Sequence, residues 1–275
     1  MTSRIPHLLE PHLALPPESS LITLTSVLGA STNWLVLRHL HALLKPAAPS
    51  PHNQQQQQQQ RHQNSHQPAP GDEGEVAVLL RKVRQGWEVG VGGRGAGEIG
   101  RVVLEGVERL RRSSSITSSA AAAAAAARGG ERERAEKRVV LVIDGLDFVL
   151  AALDPSLGLG QGLQGAGDAP GTAIAMKEML MELREKTHAV IITLAADDPL
   201  IKEQETTLEK QHAWFALSLA HEAGMVISLR LLDTGTAKDV SGVIRITHRE
   251  ARVKDHEYLY HVGGDGGVRV FERGQ

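Results

Sequence analysis

The residues with the clearest chemical potential stand where an apolar run gives way to a helix. Gly29, Ala30, Ser31, Thr32 and Asn33 follow a run holding Leu21, Ile22, Val27 and Leu28, and helical spacing starts at Trp34. Strand, small-residue turn and helix, in that order, build a phosphate-binding loop, because the N–H groups of the turn and of the helix start face an anion. The nucleotide-binding version is G-x-x-x-x-G-K-[ST]. Its lysine neutralises the β/γ-phosphates and its hydroxyl holds Mg²⁺. Counted from Gly29, the last three places hold Trp34, Leu35 and Val36. With Asn33 as the final place, Ser31 and Thr32 stand where Gly and Lys belong, and the first lysine of the chain is Lys45. Two readings stay open: an NTPase-like scaffold without the phosphate lysine, or an ordinary strand–turn–helix, since a fold does not fix a function.

Asp144 is the second candidate. It closes the run RVVLVID, and Gly145 follows it. Continuous β-branched residues suit the buried centre of a parallel sheet. An acid at the carboxyl end of such a strand is where the Mg²⁺-organising carboxylate of phosphate-loop proteins sits; the plainer reading is a turn acid. G-x-G-x-x-G occurs twice, as Gly90, Gly92, Gly95 and as Gly95, Gly97, Gly100. The dinucleotide fingerprint needs a strand that enters the turn directly, with an acid about 20 residues on. Here the preceding apolar run stops at Leu80, so the stretch from Arg81 to Gly100 reads as a flexible loop. His212 falls on the Leu208, Phe215, Leu219 stripe of a helix and reads as a packed histidine.

The elements that must position these residues alternate along the chain. Residues 1–20 carry Pro6, Pro11, Pro16 and Pro17 and read as an extended arm. Strands are expected at Leu21 onward, Val76–Leu80, Arg138–Leu150, His188–Leu194, Met225–Leu231, Val243–Thr247, Tyr258–Val262 and Val268–Phe271. Helices are expected from Trp34 to near Pro46, over Ile99–Leu110, over Thr172–Lys186 and over Leu208–Ala223, the last opened by the capping box Thr206-x-x-Glu209. Strand–helix repeats argue for a parallel α/β sheet, and short turns between the last strands argue for antiparallel hairpins at one edge. A mostly parallel sheet flanked by helices, with a late antiparallel edge, is the RecA-like arrangement. Residues 1–275 are read as one such domain, interrupted by a disordered Gln/Pro-rich insertion at 46–75 and a Ser/Ala-rich low-complexity insertion at 113–137.

Composition narrows the function classes. A net charge of −2 excludes a chain that is basic throughout, so any RNA contact is local or shared with partners. The absence of cysteine excludes disulfides, thiolate catalysis and Cys-based zinc sites, and fits a reducing compartment. Glu10 and Glu18 break the opening stretch, which does not read as a secretory signal. No run of about 20 apolar residues is present, so no membrane span is expected.

Four stretches together resemble one family, Elongator complex protein 6: EPHLALPPESSLITLTSVLGASTNWLVLRHL, VVLVIDGLDFVL, HAVIITLAADDPLI and HAWFALSLAHEAGMVISLRLLDTGTAKDVSGVIRIT. The resemblance covers about two thirds of the chain, departs most over Arg81–Gly100, and leaves the Gln-rich and Ala-rich tracts as insertions that suit a filamentous-fungal member. It implies a RecA-like fold without working nucleotide motifs. It implies assembly with the related subunits four and five into a hetero-hexameric ring, an accessory to the catalytic Elongator subassembly that modifies the wobble uridine of tRNA at carbon 5. The ring contacts tRNA, and the location implied is the cytoplasm with nuclear association. No catalytic residue, cofactor or metal site is expected in this chain.

The resemblance also directs attention to the late strands. Leu229 to Gly242 (LRLLDTGTAKDVSG) joins two of them through turn-forming residues. RecA-like domains carry ring and pore contacts on such loops, and their late strands lie near subunit boundaries in rings, so Thr234, Gly235 and Asp239 of the loop and Arg230 and Arg245 of the strands are the candidates for a subunit interface or an RNA-facing surface. Ordinary strand-edge arginines are the plainer reading of Arg230 and Arg245. Two other functions stay open: a degenerate RecA-type ATPase binding nucleotide at a subunit interface, and an adaptor that works through its Gln-rich insertion.

Overall fold

A computed structural model describes residues 5–45, 76–82, 96–126, 138–153, 171–232, 237–250 and 253–274. Eight strands form one sheet: β1 (Ser20–Ser26), β2 (Val76–Lys82), β3 (Arg138–Asp144), β4 (Ala189–Ala195), β5 (Met225–Arg230), β6 (Gly242–His248), β7 (His256–Val262) and β8 (Val268–Phe271). Their order is β2-β3-β4-β1-β5-β6-β7-β8. The first five in that order run parallel, and β6, β7 and β8 follow antiparallel. This is the RecA-like arrangement expected from the sequence. β3 and β4 lie inside the parallel part of the sheet and are buried along almost their whole length, which is why they read as unbroken apolar runs.

Helices cover both faces. The helices are α1 (Asn33–Leu44), α2 (Ala96–Ala126), α3 (Leu146–Leu153), α4 (Gly171–Glu185) and α5 (Thr207–Glu222). On one face, Leu141, Ile143, Val190 and Ile192 pack against Val103, Leu150, Met176, Leu180 and Phe215 from α2 to α5. On the other, Ile22, Leu24, Val142, Ile191 and Ile227 pack against Leu35, Val36 and Leu43 of α1. Period-two alternation along each strand separates the two sets.

Three sequence expectations change. The N-terminal segment is not a plain extended arm. It forms a 3-10 turn at Glu10–His12, and Leu9 and Leu13 are fully buried in the α1-side core. The prolines set its course, but the leucines decide that it packs. The stretch Arg138–Leu150, read as strand with Asp144 at its carboxyl end, is strand only as far as Asp144. Leu146, Val149 and Leu150 instead form a helical i, i+3, i+4 stripe facing the core. Finally, the stretch Arg81–Gly100 is not all loop: β2 runs to Lys82 and α2 starts at Ala96. Gly97 and Gly100, the last glycines of the second G-x-G-x-x-G, therefore lie on a helix. At Gly100 a Cβ would meet Met179 Cγ at 2.8 Å, so glycine there permits close packing of α2 on α4. Gly90, Gly92 and Gly95 lie outside the described residues, as does the 46–75 insertion. Of the 113–137 tract, residues 113–126 continue α2 and the rest is outside.

Candidate functional site

The carboxyl ends of β1, β3 and β4 meet around a cleft of about 390 Å³. Clefts of open α/β sheets form at this end because the connecting loops diverge there. The loop from Val27 to Thr32 forms one wall. Ala30 N–H donates to Val27 O (2.9 Å), and Gly29 between them has φ +91°, a left-handed conformation that an L side chain rarely adopts. Asn33 N–H donates to Ser31 Oγ at 3.2 Å, and α1 then starts with the N–H groups of Leu35 and Val36 bonded to Thr32 O. The loop thus has the strand–turn–helix shape of a phosphate loop. Its chemistry differs at the decisive places. Leu35 is fully buried in the α1-side core, Val36 nearly so, and the Trp34 ring sits 5.2 Å from that of Tyr260. The positions that align with Lys and Ser/Thr face the sheet.

The other walls are acidic. Asp144 Oδ1 accepts from the Thr193 hydroxyl at 2.7 Å, and Thr193 Oγ1 in turn accepts from Gly145 N–H at 2.6 Å. Asp147 Oδ2 accepts from Ala195 N–H at 3.3 Å. Asp197 Oδ1 accepts from Leu28 N–H at 2.7 Å. That last bond places a carboxylate of the protein on an amide of the very loop that would face a phosphate. The lining holds Asp144, Asp147 and Asp197 and, among the described residues, no Lys, Arg or His. At an effective dielectric of about 20, like charges about 4 Å apart repel by roughly 4 kcal/mol. A polyphosphate entering alone meets that repulsion with no cation to offset it.

The helix α5 braces this wall. Thr206 and Glu209 make the expected reciprocal capping box, with Glu209 N–H on Thr206 Oγ1 at 3.2 Å and Thr206 N–H on Glu209 Oε2 at 2.8 Å. Those hydrogen bonds hold the Glu209 carboxyl below the usual carboxylate range. His212 is buried, and its Nε2 donates to Ala195 O at 2.9 Å, so it is a packing histidine that pins the end of β4.

The arginines expected from the late strands come together elsewhere. Arg245 lies opposite Ser228 on β5 and opposite Glu257 on β7, so Arg230, two residues beyond Ser228, shares its sheet face. Arg230 pairs with Glu257 and Arg245 with Asp255, each at 3.4 Å, and Arg273 joins Glu257 at 2.9 Å. Asp239 is exposed; Thr234 and Gly235 lie outside the described residues. Asp147, Thr193 and Asp197 were not singled out by sequence. The signal was there for Asp197, which follows β4 as Asp144 ends β3, but only the strand order shows that β4 lies between β3 and β1.

No family model matches the chain, and no curated protein matches it. Two solved structures are similar in backbone course. A KaiC-like protein of the hyperthermophilic archaeon Pyrococcus horikoshii has 14% identity and a TM-score of 0.41, over 98% of this chain and 98% of that one. A DnaB-like replicative helicase, described with its interactions with primase, has 10% identity and a TM-score of 0.45, over 89% of this chain and 57% of that one.

Proposed function

We propose that this chain is a non-catalytic RecA-like subunit of an Elongator-type assembly. In this reading it builds a hetero-hexameric ring with subunits four and five, and the ring holds tRNA while the catalytic subassembly modifies the wobble uridine at carbon 5. The observation that carries the non-catalytic part is the cleft: the loop lacks its lysine, Asp197 already occupies the Leu28 amide, and Asp144 and Asp147 complete an acidic lining. The partners rest on the resemblance of the four sequence stretches. A net charge of −2 gives the chain little attraction for phosphate of its own, so the RNA contact is shared across the ring. Cytoplasm with nuclear association is the proposed location. Affinity purification of the full chain from its own cells, with mass spectrometry of tRNA nucleosides after its loss, tests the reading. The expected result is recovery of the two related subunits and a fall in 5-carbamoylmethyl- and 5-methoxycarbonylmethyl-uridine derivatives. Unchanged nucleosides overturn it.

A second reading has one observation in its favour. The cleft is at the carboxyl ends of the strands, with Asp144 and Thr193 hydrogen-bonded at its floor, where a nucleotide with Mg²⁺ would sit if a partner supplied the missing cation. Mg²⁺-dependent ATP binding by the assembled ring, lost on Asp144→Asn, is its signature.

A further inference from the structure

At the end of the sheet opposite the cleft, three imidazoles meet where the N-terminal segment crosses the antiparallel strands. His248 ends β6 opposite Met225, the first residue of β5, and His256 opens β7 opposite Ile246. Both lie on the sheet face whose Ile244, Ile246, Tyr258 and Tyr260 share a core with Leu9 and Leu13 of the segment. His12 closes the 3-10 turn beside Leu13. Its ring lies 5.4 Å from that of His248 and 5.3 Å from that of His256. His12 Nδ1 and His248 Nε2 share a hydrogen bond of 3.3 Å, and all three side chains are partly buried. The N–H groups of Leu9, Glu10, His12 and Leu13 donate within the segment, to the carbonyls of Pro6, His7 and Leu9. Side chains therefore hold this turn to the strands.

A hydrogen bond between two imidazoles needs a lone pair on one ring, so at least one of His12 and His248 must be neutral. Once both are protonated, two N–H groups face each other and two positive rings repel in a partly buried site. We infer that the cluster is an acid-released latch: with neutral rings it holds the N-terminal segment on β6 and β7, and with charged rings it releases the segment from that face. Burial first, and then the charges of His248 and His256, keep the His12 imidazole below its ordinary 6.5. A lowered value means that the fold prefers the neutral ring. The contribution of the latch is thus complete above about pH 6.5 and is lost as pH falls. On the other face of the sheet Glu257 pairs with Arg230 and Arg273, and Asp255 pairs with Arg245. His7 and Glu10 on the segment, and Arg249 and Glu250 after β6, are exposed. From β7 the Tyr258 hydroxyl lies 3.1 Å from His256 Nδ1. Burial and the charge of Glu272, just past β8, push that hydroxyl above its ordinary value. From α1 the buried imidazole is His39.

Amide exchange of the full chain, read by mass spectrometry and corrected for the intrinsic effect of pH, tests the latch. Opening over residues 5–16 is expected to rise at least about tenfold between about pH 7 and about pH 5, the change that one linked proton gives per pH unit. The amides of β4 are expected to stay protected in the same samples, which separates release of the segment from unfolding of the whole chain. His12→Gln and His248→Gln, made separately and checked for native circular dichroism, are each expected to flatten the pH dependence of the segment. His39 is present in both, so its titration does not produce the difference. Equal protection of the parent segment at the two pH values overturns the proposal, as does opening matched by β4, or a pH dependence kept by both variants. The parent measurement decides even if a variant fails to fold.

Discussion

Asp197 Oδ1 lies 2.7 Å from the backbone nitrogen of Leu28. Through that bond the end of β4 supplies, from within the chain, a negative group for the loop after β1. The loop keeps the shape that suits an anion and holds one that never leaves. Leu28 itself projects outward with 87% of its surface exposed.

Mg²⁺-ATP is expected not to bind the isolated chain with micromolar affinity. The contacts missing from the loop, a lysine and a Mg²⁺ hydroxyl, are worth about 1.5–3 kcal/mol each as charge-assisted hydrogen bonds. Calorimetry checks this. Tight, Mg²⁺-dependent binding by the parent chain contradicts it.

The N-terminal segment belongs to the core. Leu9→Ala and Leu13→Ala each remove a fully buried side chain and are expected to lower stability by about 2–5 kcal/mol. Urea unfolding measures it. A change within about 0.5 kcal/mol, the range of ordinary surface substitutions, would show that the segment is loosely attached.

Acid is expected to destabilise the fold through His39 on α1. Its ordinary value is 6.5, and burial pushes it down to about 4, with Nε2 lacking any hydrogen-bond partner. The neutral imidazole is the form the fold accepts. Its contribution is complete above about pH 6.5, declines as pH falls, and is gone near pH 4. Linkage over that interval amounts to about 3 kcal/mol in all, and about 2 kcal/mol of it is lost by pH 5. Denaturant unfolding at both ends of the interval, with His39→Leu alongside, separates this group from the rest. An unaltered pH slope in that variant removes His39 as the cause.

Gly100→Val is expected to destabilise by about 1–3 kcal/mol, since its Cβ would meet Met179 Cγ at 2.8 Å on α4. Thermal unfolding reads the loss. Restoration by Met179→Ala in the same chain identifies that contact as the source, and a variant as stable as the parent rejects it.

What the sequence made legible were the features carried by local pattern. Gly29 to Asn33 announced a turn into a helix, and Asp144 a strand end, because each stands at a change of periodicity. The capping box at Thr206 and Glu209 was equally local. Asp147 was hidden because LDFVL continues an apolar run, and only packing of Leu146 and Leu150 on the core turns it into a helix. Thr193 and Asp197 join the cleft through strand order, which a linear pattern does not encode. Arg230 and Arg245 stand 15 residues apart in the sequence with nothing local to link them; antiparallel register puts them on one face and couples them to Glu257 and Asp255.

The sheet order also governs how the chain can be made. β1 is paired only with β4 and β5, whose residues begin at Ala189 and Met225. Contacts of such sequence separation form slowly and leave apolar segments open while they wait. During synthesis, Leu21, Ile22 and Leu24 therefore emerge long before either of their sheet neighbours. Until β4 and β5 have left the ribosome, the first strand is an unpaired apolar edge.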